Sequence, residues 1–355
     1  MNVPSANLTV SVIIPVHNGG EKFRRCLVSL KEANPPPREI IVVLDGDTDA
    51  SWQLAKKVGA EVFRFPTPGG PARARNFGAA RAAGEILFFV DADVTIPRGA
   101  IGQVVTVFNR QPDLAALFGS YDDEPAETNF LSQYRNLLHH YVHQQGLEEA
   151  STFWGACGAI RRDVFLAIGG FDEGYVLPSM EDIELGYRLR KAGYKIRLCK
   201  SLQVKHLKRW DAFSMLKVDF FQRALPWTDL ILKERHCIND LNIGMSGRAS
   251  VILTFILLSS LLFAFRFHQA LVVAALMAVV LLMLNARLYR FLSKKRGIRF
   301  SLKAIPWHWL YFFYSGVAFA FGAARHVVGH DRRRKKSTHL AGGESSSSDT
   351  RMERS

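Results

Sequence analysis

At 355 residues the chain has room for one large domain or two smaller ones. Its net charge of +14 is unevenly spread, with no Asp or Glu between Leu241 and Ala324. The excess therefore lies beside apolar runs, which argues against nucleic acid as the partner. A mean hydropathy of +0.03 averages a polar N-terminal part with a strongly apolar C-terminal part. Cys26, Cys157, Cys199 and Cys237 form no C-x-x-C pair and fit reduced structural thiols of the cytosol.

Strands and helices alternate along the first ninety residues. The β-branched run Val10–Val16 predicts a strand ending near Pro15, His17 and Asn18. Glu21–Ala33 has helical spacing, and Pro35-Pro36-Pro37 stops it. A second buried strand over Glu39–Leu44 ends at Asp45-Gly46-Asp47-Thr48-Asp49, with Asp49 placed to cap a helix from Ala50 to Val58. Glu61–Phe65 reads as a strand, Arg73–Ala83 as an Ala-rich helix and Glu85–Val90 as a strand that stops at Asp91-Ala92-Asp93. This alternation predicts an α/β fold with a mostly parallel sheet flanked by helices. Further on, helices are expected over Ala100–Arg110, Ala126–Gln145 and Ser179–Ala192. Strands are expected over Leu114–Tyr121, Thr152–Ile160, Tyr194–Cys199 and Leu202–His206.

Ligands of open α/β sheets bind beyond the carboxyl ends of the strands. Three acidic clusters fall at strand ends or helix starts: Asp45/Asp47, Asp91/Asp93 and Glu181/Asp182. Two carboxylates as close as Asp91 and Asp93 repel unless a cation lies beside them, and a divalent metal carrying a phosphorylated substrate suits them. An early acid can accept hydrogen bonds from a nucleoside, Arg75 can neutralise a diphosphate, and the third pair offers a general base. Together these describe group transfer from a nucleotide-activated donor.

Seven segments carry a resemblance. They are Val12-Ile-Ile-Pro-Val-His-Asn18, Asp45-Gly-Asp-Thr-Asp49, Ala74-Arg-Asn76-x-Gly78, Phe89-Val-Asp91-Ala-Asp93, Gly155–Arg162, Gly169-Gly-Phe-Asp172 and Glu181-Asp182-Ile-Glu-Leu-Gly186. In this order and spacing the chain resembles the inverting glycosyltransferases of family 2, which have the GT-A fold, over roughly residues 8–210. The resemblance implies that Pro15, His17 and Asn18 line the nucleotide pocket. Asp45 or Asp47 would bind the base, Asp91 the ribose or sugar, and Arg75 the diphosphate. Asp93 and His206 would hold Mg²⁺ or Mn²⁺, and Asp182 would deprotonate the acceptor hydroxyl. Gly155, Glu181, Arg209 and Trp210 would fall on the acceptor side. The chain departs from the family at Leu44, where an Asp is common. A nucleotidyltransferase on the same scaffold is the alternative enzyme, but after the first strand only Lys22 follows the two glycines before Phe23. A non-catalytic membrane scaffold is the other alternative, against which Asp91, Asp93 and Asp182 all stand.

The apolar runs Ala249–Phe265, Ala270–Ala286 and Ile305–Ala323 approach the ~20 residues that cross a bilayer. Four residues separate the first two, which predicts a membrane hairpin. The next stretch, Arg287–Lys303, is expected to be a cytoplasmic loop, with seven basic residues and no acid. The third run, rich in Trp and Tyr and followed by Arg332-Arg-Arg-Lys-Lys336, is expected to be re-entrant or interfacial rather than spanning. The first ten residues lack the basic start and apolar core of a signal peptide. The expected organisation is a catalytic domain over 1–209, interfacial or linker helices over 210–248, a membrane region over 249–323 and a disordered tail over 324–355. Attachment to a membrane points to a lipid-linked acceptor, with the catalytic domain in the cytosol at the cell inner membrane or another cytoplasmic membrane.

Overall fold

Residues 8–234 and 244–343 are described by a computed structural model. Four parallel strands make one half of the sheet: β1 (Val10–Val16), β2 (Glu39–Asp45), β3 (Glu61–Phe65) and β4 (Ile86–Val90). Helices α1 (Gly20–Lys31), α2 (Ser51–Lys57) and α3 (Pro71–Arg81) connect them. The middles of β1, β2 and β4 are near-continuous apolar runs because both faces are covered, whereas the edge strand β3 carries the exposed Glu61 and Arg64. Val12, Ile14, Val42, Leu44 and Phe88 face one way, onto Phe23, Leu27 and Leu30 of α1. Ile13, Ile41, Val43, Leu87 and Phe89 face the other way, onto Ala72, Ala74 and Ala79 of α3. The small residues of α3 let it approach the sheet closely.

The second half is mixed. It comprises β5 (Val94–Thr95), α4 (Ala100–Arg110), β6 (Leu114–Tyr121), α5 (Phe130–Gln145), β7 (Glu149–Ala150), β8 (Cys157–Arg161), α6 (Arg162–Ala167), α7 (Glu181–Lys191) and β9 (Lys195–His206). The strand order is β3-β2-β1-β4-β8-β6-β9-β5, with β7 also on β9. β8 inserts antiparallel between β4 and β6, and β5 and β7 run antiparallel to β9. Half of the ladders are therefore antiparallel, which corrects the expectation of a mostly parallel sheet. Apolar content identifies a buried strand but carries no direction, so the reversal at β8 could not be read from it. The strands expected over Tyr194–Cys199 and Leu202–His206 are one, β9.

Beyond β9 come α8 (Ala212–Lys217), a π-helical stretch over Val218–Ala224, α9 (Leu225–Glu234), α10 (Met245–Phe263), α11 (Ala270–Leu284), α12 (Ala286–Arg296) and α13 (Ile298–Gly343). The carboxylate of Asp211 caps α8 by accepting from Ser214 N at 2.9 Å. α10 and α11 pack as a helical hairpin through Leu257, Ala274 and Leu281. Ile252, Leu262, Val272 and Met283 face outward, exposed. Among the described residues α10 alone is long and apolar enough to cross a membrane, and α11 with α12 passes the same test as one span bent by 64°.

Three expectations for this region need correction. Arg287–Lys303 is not a loop: most of it is α12, whose Leu288, Tyr289 and Leu292 recur at helical spacing and bury against Tyr134, Leu137 and Leu138 of α5. Ile305–Ala323 is not re-entrant, because α13 runs through it without a break and Pro306 is accommodated near its start. The helix also continues to Gly343, into the segment expected to be disordered, since no proline follows Pro306 and Arg, Lys and Ala favour helix. Residues 344–355 and Cys237 lie outside the described residues.

Candidate active site

The parallel register brings the ends of β1, β2 and β4 to one edge of the sheet. The start of β8 lies beside the end of β4, with Val90 opposite Cys157 and Asp91 N donating to Ala156 O at 3.3 Å. β9 reaches the same edge and pairs His206 with Val94. His17, Asp45, Asp91, Asp93, Gly155 and His206 thus come from separated parts of the chain to one margin, where ligands of such sheets bind.

At its centre is Arg75, on α3 and only 4% exposed. Its Nη2 donates to Asp91 Oδ1 at 2.7 Å and its Nη1 to Glu181 Oε1 at 2.9 Å. Glu181 Oε2 accepts from Ser179 N at 2.8 Å, so both of its oxygens are engaged. Arg75 is thus an enclosed cation balanced by two carboxylates, and Glu181 spends its charge on Arg75. Burial raises the Asp91 carboxyl above its ordinary range, with Asp93 and Glu181 adding to the rise and Arg75 opposing it.

Asp182 follows Glu181 on the first turn of α7 but is not tied to Arg75. Its Oδ2 accepts from Gly155 N at 3.0 Å and its Oδ1 from Ile183 N at 2.8 Å. Burial, then the charge of Glu181, push its carboxyl up to about 7. That is where a general base for neutral pH operates. Gly155 permits the arrangement: a Cβ there would stand 3.1–3.4 Å from the Arg75 guanidinium, which its two ion pairs keep from moving. Gly186 does the same for the helix, since a Cβ would stand 2.4 Å from Phe153 N.

Asp93 Oδ2 and His206 Nε2 approach to 3.6 Å. Burial works against the ionised form of Asp93, but His206, Lys208 and Lys22 outweigh it and hold the carboxyl down at about 2. The ring of Tyr121 stacks on His206 at 4.3 Å, and Trp154 packs edge-on against Tyr121 at 4.8 Å. An ionised carboxylate beside a fixed imidazole fits a divalent cation. Among the described residues no group of three or more His, Cys, Asp or Glu forms a self-sufficient cage. A metal here would need substrate phosphate to complete its shell, as Mg²⁺-type sites commonly do.

At the nucleotide end, Pro15 lies beside Val43 one residue before the end of β1, and His17 Nδ1 lies 2.7 Å from Asp45 O. Asn18, at φ +52°, accepts from Thr48 N through Oδ1 at 2.8 Å. Both Asp45 oxygens accept backbone amides, from Gly69 and Gly70, each at 2.7 Å. Asp45 therefore organises the loop before α3. Asp47 accepts from Asn18 N at 2.8 Å through Oδ1, and its Oδ2 has no partner. Asp47 thus keeps one oxygen without a hydrogen-bond donor, buried beside Asp49.

Of the two residues expected on the acceptor side, Trp210 is enclosed and Arg209 is exposed. Trp210 is 3% exposed, its N donating to Ser132 Oγ at 2.7 Å and its O accepting from Asn129 Nδ2 at 2.8 Å. Arg209 pairs with Glu127 at 3.3 Å. Trp210 fastens the segment after β9 to the start of α5, and Arg209 ties it to the loop before that helix. Reading the sequence missed Tyr121, whose stacking on His206 follows from the parallel pairing of β6 and β9. It also missed the structural role of Asn76, which exchanges hydrogen bonds with the backbone of Phe171 at 2.8 Å in both directions.

Residues 11–169 match the family model described as "Glycosyl transferase family 2". A pre-mycofactocin glycosyltransferase of Mycobacterium tuberculosis is 30% identical over 220 residues, covering 57% of this chain and 44% of the relative. The chain thus spans less than half the length of that relative. An N-acetylglucosaminyl-diphospho-decaprenol L-rhamnosyltransferase of the same organism is 28% identical over 232 residues, covering 56% of this chain and 75% of the relative. Among solved structures, a mannosyltransferase from Pyrobaculum calidifontis in complex with GDP-Man and Mn²⁺ shares the fold at a TM-score of 0.55. It is 18% identical, over 89% of this chain and 88% of that one.

Proposed function

From the match of residues 11–169 to the family 2 glycosyltransferase model and the geometry of the site, we propose that the chain moves a sugar from a nucleotide-diphosphate donor to a lipid-linked acceptor at the cytoplasmic face of a membrane. The observation that carries this reading is the different treatment of adjacent acids. Glu181 is consumed by Arg75, whereas Asp182 is held by two backbone amides with a carboxyl raised to about 7.

Asp182 takes the proton of the acceptor hydroxyl as that oxygen bonds to the anomeric carbon. The bond from that carbon to the diphosphate oxygen breaks, and the nucleoside diphosphate leaves with the electron pair. Gly155 N–H orients the Asp182 carboxylate, and Arg75 fixes α7 against the Asp91 edge. Asp47 and Asn18 supply the nucleoside end. A divalent cation held by Asp93 and His206 would screen the charge of the diphosphate. Support for a lipid-linked acceptor comes from the apolar α10–α11 hairpin and from the relative whose name specifies a diphospho-decaprenol substrate.

The test is nucleotide release from a panel of UDP-, GDP- and dTDP-sugars by membranes containing the chain, with Mn²⁺ or EDTA. Metal-dependent release from one donor, lost in Asp182→Asn, is the expected result. Release unaffected by Asp182→Asn would remove the assignment of the base.

A further inference from the structure

Away from the sheet edge lies a cavity of about 510 Å³, within the size range of small-molecule sites. One wall is the start of α5, with Phe130 and Gln133; the other is the α12–α13 junction, with Arg296, Arg299, Phe300 and Lys303. Three cations and no carboxylate line it. The rings of Phe130 and Phe300, 5.0 Å apart, supply an apolar flank. Arg296 is held in place by donating from Nε to Gln133 Oε1 at 2.7 Å, from Nη2 to Asp123 O at 2.8 Å and from Nη1 to Lys295 O at 3.0 Å. Two of its five N–H groups remain.

The nearby acids are already committed: Asp123 pairs with Lys295, and Glu127 with Arg209. Exposed Arg299 and Lys303 have no carboxylate partner among the described residues. Guanidinium and ammonium groups gathered without a counter-charge beside an apolar wall fit a phosphate carried on a hydrocarbon chain. The position suits such a ligand, because α12 leaves the apolar hairpin at the 64° bend and ends at this cavity. The α5 wall is in turn fastened to the catalytic margin. Asn129 and Ser132 grip Trp210, four residues beyond His206.

We infer that this cavity binds the phosphate headgroup of a membrane lipid through Arg296, Arg299 and Lys303, with Phe130 and Phe300 against the start of the chain. The phosphate belongs either to the acceptor lipid or to an anionic phospholipid of the leaflet. Assigning it to the acceptor rests on the function proposed above; the phosphate chemistry does not.

The experiment uses the full chain in neutral detergent micelles. Wild type, R299A/K303A and the charge-preserving R299K/K303R are titrated with a short-chain isoprenyl phosphate, phosphatidylglycerol and phosphatidylcholine. Bound lipid is read by native mass spectrometry, and nucleotide release from the donor panel is followed on the same preparations. The expected result is phosphate-lipid binding about tenfold or more weaker in R299A/K303A. R299K/K303R should stay near wild type, and phosphatidylcholine should be indifferent to all three. A loss confined to isoprenyl phosphate assigns the site to the acceptor; an equal loss for phosphatidylglycerol assigns it to the leaflet. Equal binding of both phosphate lipids by wild type and R299A/K303A overturns the site, whatever the turnover. Charge-dependent binding without nucleotide release from any donor leaves the site standing and removes the transferase reading.

Discussion

Arg75 and Glu181 meet at 2.9 Å with both side chains about 5% exposed, joining α3 to α7 across most of the catalytic domain. Removing one member of a buried pair leaves an uncompensated charge, at a cost of about 3–5 kcal/mol. Arg75→Met should therefore lower thermal stability sharply, since Asp91 and Glu181 both lose their partner. Adding Glu181→Gln should recover part of the loss. A melting series on the single and double variants checks this, and equal melting points for wild type and Arg75→Met would contradict it.

Asp182 predicts two pH dependences of opposite sense. With Asp182 as the proposed base, kcat/KM should rise with pH through about 7 and then level off. Asp182→Asn should lower kcat by about 10²–10⁴. Stability runs the other way. The folded carboxyl keeps its proton up to about 7, whereas the unfolded one releases it near about 3.9. Between these values the folded state binds more protons, so the contribution of Asp182 is most favourable below the unfolded value and is lost as pH rises toward 7. Denaturation at pH 4 and pH 8 should show Asp182→Asn gaining on wild type at the higher pH.

Asp93 and His206 should act together in metal affinity. Asp93→Asn or His206→Ala should weaken Mn²⁺-dependent nucleotide binding by at least the 10–100-fold typical for losing a group that merely supports a ligand. Tyr121→Leu, which removes the ring stacked on His206, should produce a smaller loss of the same kind. Titration of Mn²⁺ at fixed nucleotide separates these effects from any change in nucleotide affinity without metal.

Asp219 binds the C-terminal helices to the catalytic domain. It is 3% exposed and accepts from Arg135 on α5 at 2.6 Å and from Tyr314 on α13 at 2.6 Å. Asp219→Ala should destabilise the chain by about 3–5 kcal/mol by leaving Arg135 buried without a counter-charge. Limited proteolysis should then release the C-terminal helices more readily than in wild type. By a different route, Gly186→Ala should cost about 1–3 kcal/mol through overpacking against Phe153.

The sequence was most legible where one physical factor dominated. Val10–Val16, Ala100–Arg110 and Leu114–Tyr121 match the structure residue for residue, because burial and periodicity alone define them. The acids at strand ends were equally visible, but their partners were not. Whether Asp45 meets a ligand or the amides of Gly69 and Gly70 depends on a loop whose path composition does not encode. Trp210 shows the same limit: its expected place on the acceptor side came from the resemblance, and only the docking of α5 reveals that it is enclosed. The basic stretch after α11 was read by its charge, although Leu288 and Leu292 already carried a helical stripe.

The pairing of His206 with Val94 has a further consequence, for the order in which the site assembles. Asp93 emerges early in synthesis, whereas His206 is the last residue of β9, the last strand in sequence among the described residues. A slip of one residue in that ladder would turn the imidazole to the opposite face. A cation that needs both groups would therefore discriminate between nascent chains and finished ones, and would preferentially stabilise domains whose final strand is in register.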